Sequence, residues 1–298
     1  MNGILPLWKP RGMTSHDCVV KIRKLFRTKK VGHTGTLDPE VEGVLPICIG
    51  QATKIVPFLT DTKKTYIAEV SLGKSTETED SQGKAIEEKP VLMPPDDKEI
   101  QAVLQTFKGT ITQIPPMYSA VKVNGKKLYE YARANKFVER PERNVLIHEI
   151  ERIPSNEKRN NLFTIRVVCS KGTYIRTLCV DIGKKLGYPA HMSNLIRTQT
   201  ASFDEKNTVT FATIEEKVKL NQQEDLLLPI IKGVEHLDSL NADDEMKKKV
   251  LYGQKLPKPE NRLGTDPFII KSNQQLLAIY QTHPEHPDQI KPVRVFSE

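Results

Sequence analysis

The sequence is poor in the residues that build metal centres and disulfide frameworks. Cysteine occurs only four times in 298 residues, and no pair has the CxxC spacing or a histidine at ligand spacing along the chain. All four lie in apolar stretches, where a thiol behaves as a small hydrophobic side chain. We therefore expect buried thiols, and neither a zinc site nor a disulfide framework, at Cys18, Cys48, Cys169 and Cys179.

Long apolar runs and nucleotide-binding motifs are also absent. No stretch reaches the length that spans a membrane, and the first ten residues lack the apolar core of a signal peptide. The glycines fit neither a P-loop nor a dinucleotide fingerprint. These absences predict a cytoplasmic protein that uses no nucleotide cofactor and binds no membrane.

Basic residues are present in excess and are unevenly distributed. The formal net charge is +8. Residues 1–60 contain nine Lys and Arg against four Asp and Glu, and residues 171–200 contain five against one. A positive excess concentrated in two segments is typical of a surface that binds phosphates. With 38% hydrophobic residues the chain can also bury a sizeable core, so we expect a folded protein with an anionic partner.

The most informative segment is Val31–Pro46, which presents one acidic side chain in a loop rich in glycine. Pro39 disfavours the helical region for Asp38 and holds it extended. The flanking glycines allow sharp turns and close approach of a ligand. The loop could therefore aim the Asp38 carboxylate at a substrate, although an Asx-type turn between two strands fits the same residues. The glycines are Gly32, Gly35 and Gly43.

Three further side chains are ambiguous when they are considered alone. Arg176 is predicted in the first turn of a helix, where it could pair with Asp38 or form an ordinary surface ion pair. Tyr66 lies in the middle of a predicted strand, as a core residue or as a stacking platform for a base. Lys54 fits either a surface or a site position. Residue patterns alone leave these alternatives open.

Periodicity along the chain predicts an α+β fold. Strands and helices are mixed without regular βαβ alternation, and Asn144–Ile153 and Leu162–Ser170 are predicted as paired strands. Ser15 is predicted to cap a helix. Residues 73–95 are predicted to form a long polar loop. Beyond about Asp243, short strands predict a small β-rich terminal domain.

Seven short motifs then resemble, in order, those of the TruB family of tRNA pseudouridine synthases. The long match around Asp38 is the most specific, and the resemblance extends over nearly the whole of the expected catalytic domain. They are Trp8-Lys-Pro10, Gly32-His-Thr-Gly-Thr-Leu-Asp-Pro39, Gly43-Val-Leu-Pro46, Gly50-Gln-Ala-Thr-Lys54, Lys64-Thr-Tyr66, Pro115-Pro-Met-Tyr-Ser-Ala-Val-Lys122 with Asn124-Gly125, and Ser170-Lys-Gly-Thr-Tyr-Ile-Arg176.

The resemblance implies a fold and a reaction. We expect a pseudouridine synthase catalytic domain over residues 1–235, with a mixed, mostly antiparallel sheet, and a PUA-like RNA-binding domain over residues 240–298. The implied reaction isomerises uridine 55 in the T loop of tRNA, on a flipped-out base, without metal, nucleotide or redox cofactor. The implied partner is tRNA, bound by a monomer.

The resemblance also implies roles for individual side chains. Asp38 is expected to be the essential carboxylate, acting by attack at C1′, by attack at C6, or by abstraction of the C2′ proton. Arg176 would pair with Asp38 and position it, and Tyr66 would stack on the uracil. The other implied positions are His33, which would occupy the space vacated by the base, Leu195 in the uracil pocket, and Lys9 and Lys54, which would support the loop or contact RNA.

Two rival functions share these motifs. One is the catalytic subunit of a guide-dependent box H/ACA particle. The other is an RNA chaperone that folds tRNA and needs no catalysis, although Asp38, Tyr66 and Arg176 together argue against a loss of catalysis. Activity of the isolated protein on unmodified tRNA separates the first rival from the stand-alone enzyme.

Overall fold

The computed structural model describes residues 1–154, 161–259 and 263–296. Within it the chain folds as two units, which are described separately. The first consists of Met1–Pro39, Val44–Thr60 and Ala201–Glu298, and the second of Glu40–Gly43 and Asp61–Thr200. This division follows how the chain packs in space. The predicted catalytic and RNA-binding domains are a functional division and stay a prediction.

Both units mix strands and helices. The strands are β1 (Gly3–Lys9), β2 (Val31–His33), β3 (Glu42–Ile49), β4 (Lys64–Leu72), β5 (Lys74–Thr76), β6 (Ala85–Glu88), β7 (Gly109–Gln113), β8 (Lys122–Val123), β9 (Lys126–Lys127), β10 (Arg143–Ile153), β11 (Leu162–Cys169), β12 (Ala190–Thr200), β13 (Phe203–Asp204), β14 (Ser239–Asn241), β15 (Leu256–Pro257), β16 (Phe268–Ser272), β17 (Gln275–Thr282) and β18 (Gln289–Val295). The helices are α1 (Ser15–Leu25), α2 (Val56–Thr60), α3 (Asp97–Gln105), α4 (Leu128–Arg133), α5 (Ile175–Lys185), α6 (Phe211–Lys219) and α7 (Asp244–Leu251). Short 3₁₀ helices lie at Gly50–Ile55, Glu205–Asn207, Gln223–Leu226 and Ile230–Gly233.

The second unit is built on an antiparallel sheet in the order β12-β4-β11-β10-β7. The pairing of β10 with β11 confirms the predicted strand pair. Glu42 and Gly43, at the start of β3, pair in parallel with Ile196 and Arg197 of β12. Helix α5 packs on β12 and β4, and α3 packs on β10. The mixed, mostly antiparallel sheet confirms the predicted α+β class.

The first unit joins the start of the chain to its end. Strand β1 lies beside β3, and β2 pairs with β3 in antiparallel register. The C-terminal strands form a separate five-stranded sheet in the order β14-β16-β17-β18-β15, which confirms the small β-rich domain. One hydrophobic core contains Ile4, Val44 and Ile55 together with Ile279 and Phe296. The C-terminal strands therefore share buried surface with β1 and β3.

Helix caps and one hairpin show where local prediction succeeds and fails. Asp96 and Glu99 form the predicted capping box of α3. Helix α1 is capped by Thr14, and not by Ser15 as predicted, because Thr14 and Asp17 form the capping box. The prediction of a loop at residues 73–95 was wrong, since β5 and β6 form a hairpin there. Strand β6 is exposed throughout, so it lacks the alternation that marks a half-buried strand.

Two predictions made from absences concern cysteines and membrane spans. All four cysteines are free and buried, as predicted. Across the described ranges, no helix is long and apolar enough to cross a membrane.

Candidate functional site

The loop that carries Asp38 is held in place immediately before the acid. The Ser15 hydroxyl accepts the Leu37 N–H at 2.8 Å and donates to the Leu37 carbonyl at 3.2 Å. Ser15 and Leu37 are 1% and 3% exposed. A single side chain therefore satisfies both backbone groups of the residue that precedes Asp38, and this fixes the direction in which the loop enters that position.

A second buried group holds the same loop immediately after the acid. Lys9 is fully buried, and its ammonium donates to the Pro39 carbonyl at 3.1 Å and to the Pro10 carbonyl at 2.9 Å. The Gly12 N–H also donates to the Pro39 carbonyl, at 2.9 Å. Asp38 is half-buried between these two anchors. Its backbone is therefore fixed on both sides.

The rest of the loop is ordered by short polar contacts and by one glycine. The Thr34 hydroxyl donates to the Pro46 carbonyl at 3.2 Å, and the Gly35 N–H donates to Nδ1 of His33 at 3.3 Å. Gly43 has a φ of +125°, and a Cβ there would collide with the Arg197 backbone. Only glycine allows β3 to begin so close to β12.

Tyr66 lies in the second unit on β4. Beside it on β12 lie the predicted site residue Leu195 and the basic residue Arg197. It pairs with Val167 of β11 and with Arg197 of β12. Leu195 pairs with the next residue on the same face of β4, Ala68. Tyr66 is 8% exposed and Leu195 is 7% exposed. The structure therefore brings Tyr66, Leu195 and Arg197 to one face of the sheet.

Arg176 occupies a cradle made of backbone carbonyls. The side chain donates to the Thr78 carbonyl at 2.8 Å and to the Tyr118 carbonyl at 2.9 Å. The Asp80 carboxylate lies 3.9 Å from the same guanidinium. Arg176 is only 6% exposed. The alternative interpretation from the sequence, an ordinary surface ion pair, is therefore wrong.

The loop that supplies the Thr78 carbonyl is itself tied to helix α5. The Thr177 hydroxyl donates to the Glu79 carboxylate at 2.6 Å, and the Met192 N–H donates to the Glu79 carbonyl at 3.0 Å. Burial raises the pKa of Glu79, and the hydrogen bond from Thr177 and the charge of Arg176 oppose that rise. Thr78, Glu79 and Asp80 were missed from the sequence because they fall within the segment predicted as a plain loop.

A buried lysine lies two residues before Tyr66. Lys64 is 6% exposed and donates to the Thr62 carbonyl at 2.8 Å. Burial, together with the nearby charge of Arg197, lowers the pKa of Lys64 to about 8. Two basic groups, Lys64 and Arg197, therefore lie on the face of the sheet that carries Tyr66, although neither was predicted as a site residue.

Lys54 contacts the end of the C-terminal sheet. Its ammonium donates to the Gln51 side-chain oxygen at 3.1 Å and to the Val295 carbonyl at 2.7 Å. It also lies over the ring of Phe296, 5.4 Å from the centroid. Lys54 therefore ties the 3₁₀ helix Gly50–Ile55 to the end of the C-terminal sheet.

The predicted residues thus form two groups. Lys9, His33 and Asp38 lie in or against the loop of the first unit. Tyr66, Leu195 and Arg176 belong to the sheet and helix of the second. The pairing of Asp38 with Arg176 stays a prediction.

Two family models match adjoining parts of the chain. The family model for the N-terminal domain of TruB family pseudouridylate synthases matches residues 23–175. The model for the C-terminal domain of tRNA pseudouridylate synthase B matches residues 176–237.

Individual relatives match over the whole chain. A tRNA pseudouridine synthase B of Oceanobacillus iheyensis is 64% identical over 298 residues, covering 100% of this chain and 98% of the relative. That of Bacillus licheniformis is 52% identical and covers 99% and 97%. Among solved structures, a Cbf5–Nop10–Gar1 complex matches with a TM-score of 0.74 and 29% identity, covering 99% of this chain and 84% of that one. An H/ACA RNP bound to a substrate RNA containing 2′-deoxyuridine matches with a TM-score of 0.75 and 26% identity, covering 99% and 85%.

Proposed function

Because the chain belongs to the TruB family of pseudouridine synthases, we propose that it converts uridine 55 in the T loop of tRNA to pseudouridine, with Asp38 as the essential carboxylate. The chain is a tRNA pseudouridine synthase, an isomerase. What we propose beyond this activity is the position of the target uridine and the role of Asp38.

One observation carries the role of Asp38. The backbone is fixed by Ser15 before the acid and by Lys9 after it, with both anchoring side chains buried. Holding a reacting group in place before the substrate arrives removes an entropic cost from the reaction. An ordinary surface turn has no need of a fully buried ammonium to hold its carbonyl, because water can satisfy that carbonyl.

The chemistry is an isomerisation in which all atoms are conserved. The N1–C1′ glycosidic bond breaks, the uracil turns, and a C5–C1′ bond forms. The C5 proton is lost and N1 gains a proton, so the sum is unchanged. Asp38 would begin this sequence by attack at C1′, by attack at C6, or by removal of the C2′ proton.

The second unit would supply the partner groups. Two carbonyls and Asp80 fix the Arg176 guanidinium, so it is prepared to form a bidentate pair with the Asp38 carboxylate. Such a pair would hold the Asp38 carboxylate in one orientation. Tyr66 would stack on the extruded uracil, with Leu195 lining the pocket beside it.

Binding would depend on base extrusion and on phosphate contacts. Extruding a nucleotide from a folded loop costs a few kcal/mol, and stacking on an aromatic ring returns about 1–3 kcal/mol per base. Lys and Arg contacts to phosphates would supply much of the remaining affinity. The affinity for tRNA should therefore fall steeply as salt is raised.

The experiment that tests the proposal uses a T-arm RNA with tritium at uridine C5, without added guide RNA. Wild-type protein should release tritium and leave pseudouridine at position 55. Asp38→Asn should bind the RNA with near wild-type affinity and release none. Appreciable turnover by Asp38→Asn would refute the role of the carboxylate, and pseudouridine at another position would refute the target.

The same experiment addresses the guide-dependent alternative, which the structural likeness to the H/ACA proteins favours. A guide-dependent enzyme would be inactive on the T-arm RNA until a guide RNA is added. The full-length identity of 64% to a tRNA pseudouridine synthase B is the reason to expect activity by the isolated chain.

A further inference from the structure

Gln113 is a buried amide with both of its polar groups bound to one residue. It ends strand β7 and is 2% exposed. Its Nε2 donates to the Tyr174 carbonyl at 3.1 Å, and the Tyr174 N–H donates to its Oε1 at 3.0 Å. A side-chain amide can donate a hydrogen bond to the carbonyl and accept one from the N–H of the same residue.

The residue that Gln113 binds, Tyr174, lies at the start of helix α5. Tyr174 is the N-cap of α5, and no side chain of the local sequence caps that end. A residue 61 positions earlier in the chain therefore accepts the N–H of the N-cap residue, which in a capping box is bound by a side chain of the helix itself. Arg176 follows two residues later, in the first turn. The two hydrogen bonds from Gln113 to Tyr174 consequently fix the position of the first turn of α5, which contains Arg176.

The chain segment that follows Gln113 also contacts the Arg176 side chain. Arg176 donates to the Tyr118 carbonyl at 2.9 Å. Between these two contacts, Arg140 donates to the Pro115 carbonyl at 3.0 Å and braces the segment. One stretch, residues 113–118, thus holds the backbone at the start of α5 and the guanidinium that projects from it.

We propose that Gln113 is a positioning residue that acts on the reaction through Arg176. It fixes the first turn of α5, so that the guanidinium keeps the placement in which it would orient Asp38. Gln113 itself touches no substrate in this scheme. The inference rests on the proposed function, because it assumes that Arg176 serves Asp38.

The test is a double-mutant cycle in the full-length protein, measured with the tritiated T-arm RNA. Gln113→Glu keeps the size of the side chain but loses the donor to the Tyr174 carbonyl. We expect kcat to fall about tenfold to a hundredfold, as small misplacements of catalytic geometry do, with KM within about twofold. Combined with Arg176→Lys, which loses the bidentate geometry, the double variant should be little worse than Arg176→Lys alone.

Two controls keep the result interpretable. Thr106→Val removes the hydrogen bond from Lys185 at the far end of α5, and it should leave kcat unchanged. If Gln113→Glu does not fold, as judged by circular dichroism, Gln113→Met replaces it, because it lacks both polar groups at similar size and should lose kcat in the same way.

Three outcomes would overturn the inference: a folded Gln113 variant with wild-type kcat, a loss confined to KM, or losses that multiply with that of Arg176→Lys. The failure of the proposed function is distinguishable, because it would appear as turnover by Asp38→Asn. An inactive Asp38→Asn together with a fully active Gln113→Glu would remove only the role of Gln113.

Discussion

Replacing Ser15 with alanine tests whether the Asp38 loop must be held before the substrate arrives. The change removes one oxygen that serves both backbone groups of Leu37. Helix α1 should persist, because its cap is Thr14 with Asp17. The expected damage is therefore local to the loop.

The size of the effect follows from the two hydrogen bonds. A buried backbone group left without a partner costs about 1–3 kcal/mol, so losing both bonds should cost about 2–6 kcal/mol of unfolding free energy if no water replaces the hydroxyl. If about 2 kcal/mol of that loss falls on the active geometry of the loop, kcat should drop about 30-fold.

The assays are urea unfolding and single-turnover release of tritium from the T-arm RNA. Thr60→Val is the matched control, because it removes a hydroxyl that donates to the Val56 carbonyl within helix α2, outside the Asp38 loop. The control should retain wild-type kcat. If both Ser15→Ala and Thr60→Val retain wild-type kcat, the hydrogen bonds between Ser15 and Leu37 play no part in catalysis.

Two further predictions concern buried charge and the shared core. The folded pKa of Lys64, about 8, lies below the ordinary lysine range. Because the folded protein holds the Lys64 proton less tightly than the unfolded chain does, Lys64 lowers the free energy of unfolding as the pH falls from the ordinary lysine range through about 8. Lys64→Met should flatten this part of the curve of unfolding free energy against pH. An unchanged slope would contradict the lowered pKa. Phe296 is 4% exposed in the core that the C-terminal sheet shares with β1 and β3, so Phe296→Ala should cost about 3–5 kcal/mol in one urea transition. Two separate transitions would instead show that the C-terminal domain unfolds by itself.

Features that depend on neighbouring residues were predictable from the sequence. The alternation of β10 and β11 and the capping box of α3 each lie within a short window, and each was found. The one-residue error at the start of α1 has a physical reason. Thr14 and Ser15 are both good capping residues, but the hydroxyl of Ser15 is used by Leu37, which lies 22 residues away.

The surroundings of Arg176 were beyond the reach of the sequence. Its partners are the carbonyls of Thr78 and Tyr118, which lie 98 and 58 residues away. Every residue has a carbonyl, so such acceptors leave no mark on residue type. Gln113 was missed for a related reason, because its bonds run to the backbone of Tyr174 and to no particular side chain.

The central claim is that this chain modifies uridine 55 of tRNA through Asp38, and mapping pseudouridine in cellular tRNA tests it most directly. Cells that lack the protein should lose pseudouridine at position 55. The wild-type chain should restore it, whereas Asp38→Asn, expressed at the same level, should not. Pseudouridine that persists at position 55 without the protein, or its restoration by Asp38→Asn, would contradict the account.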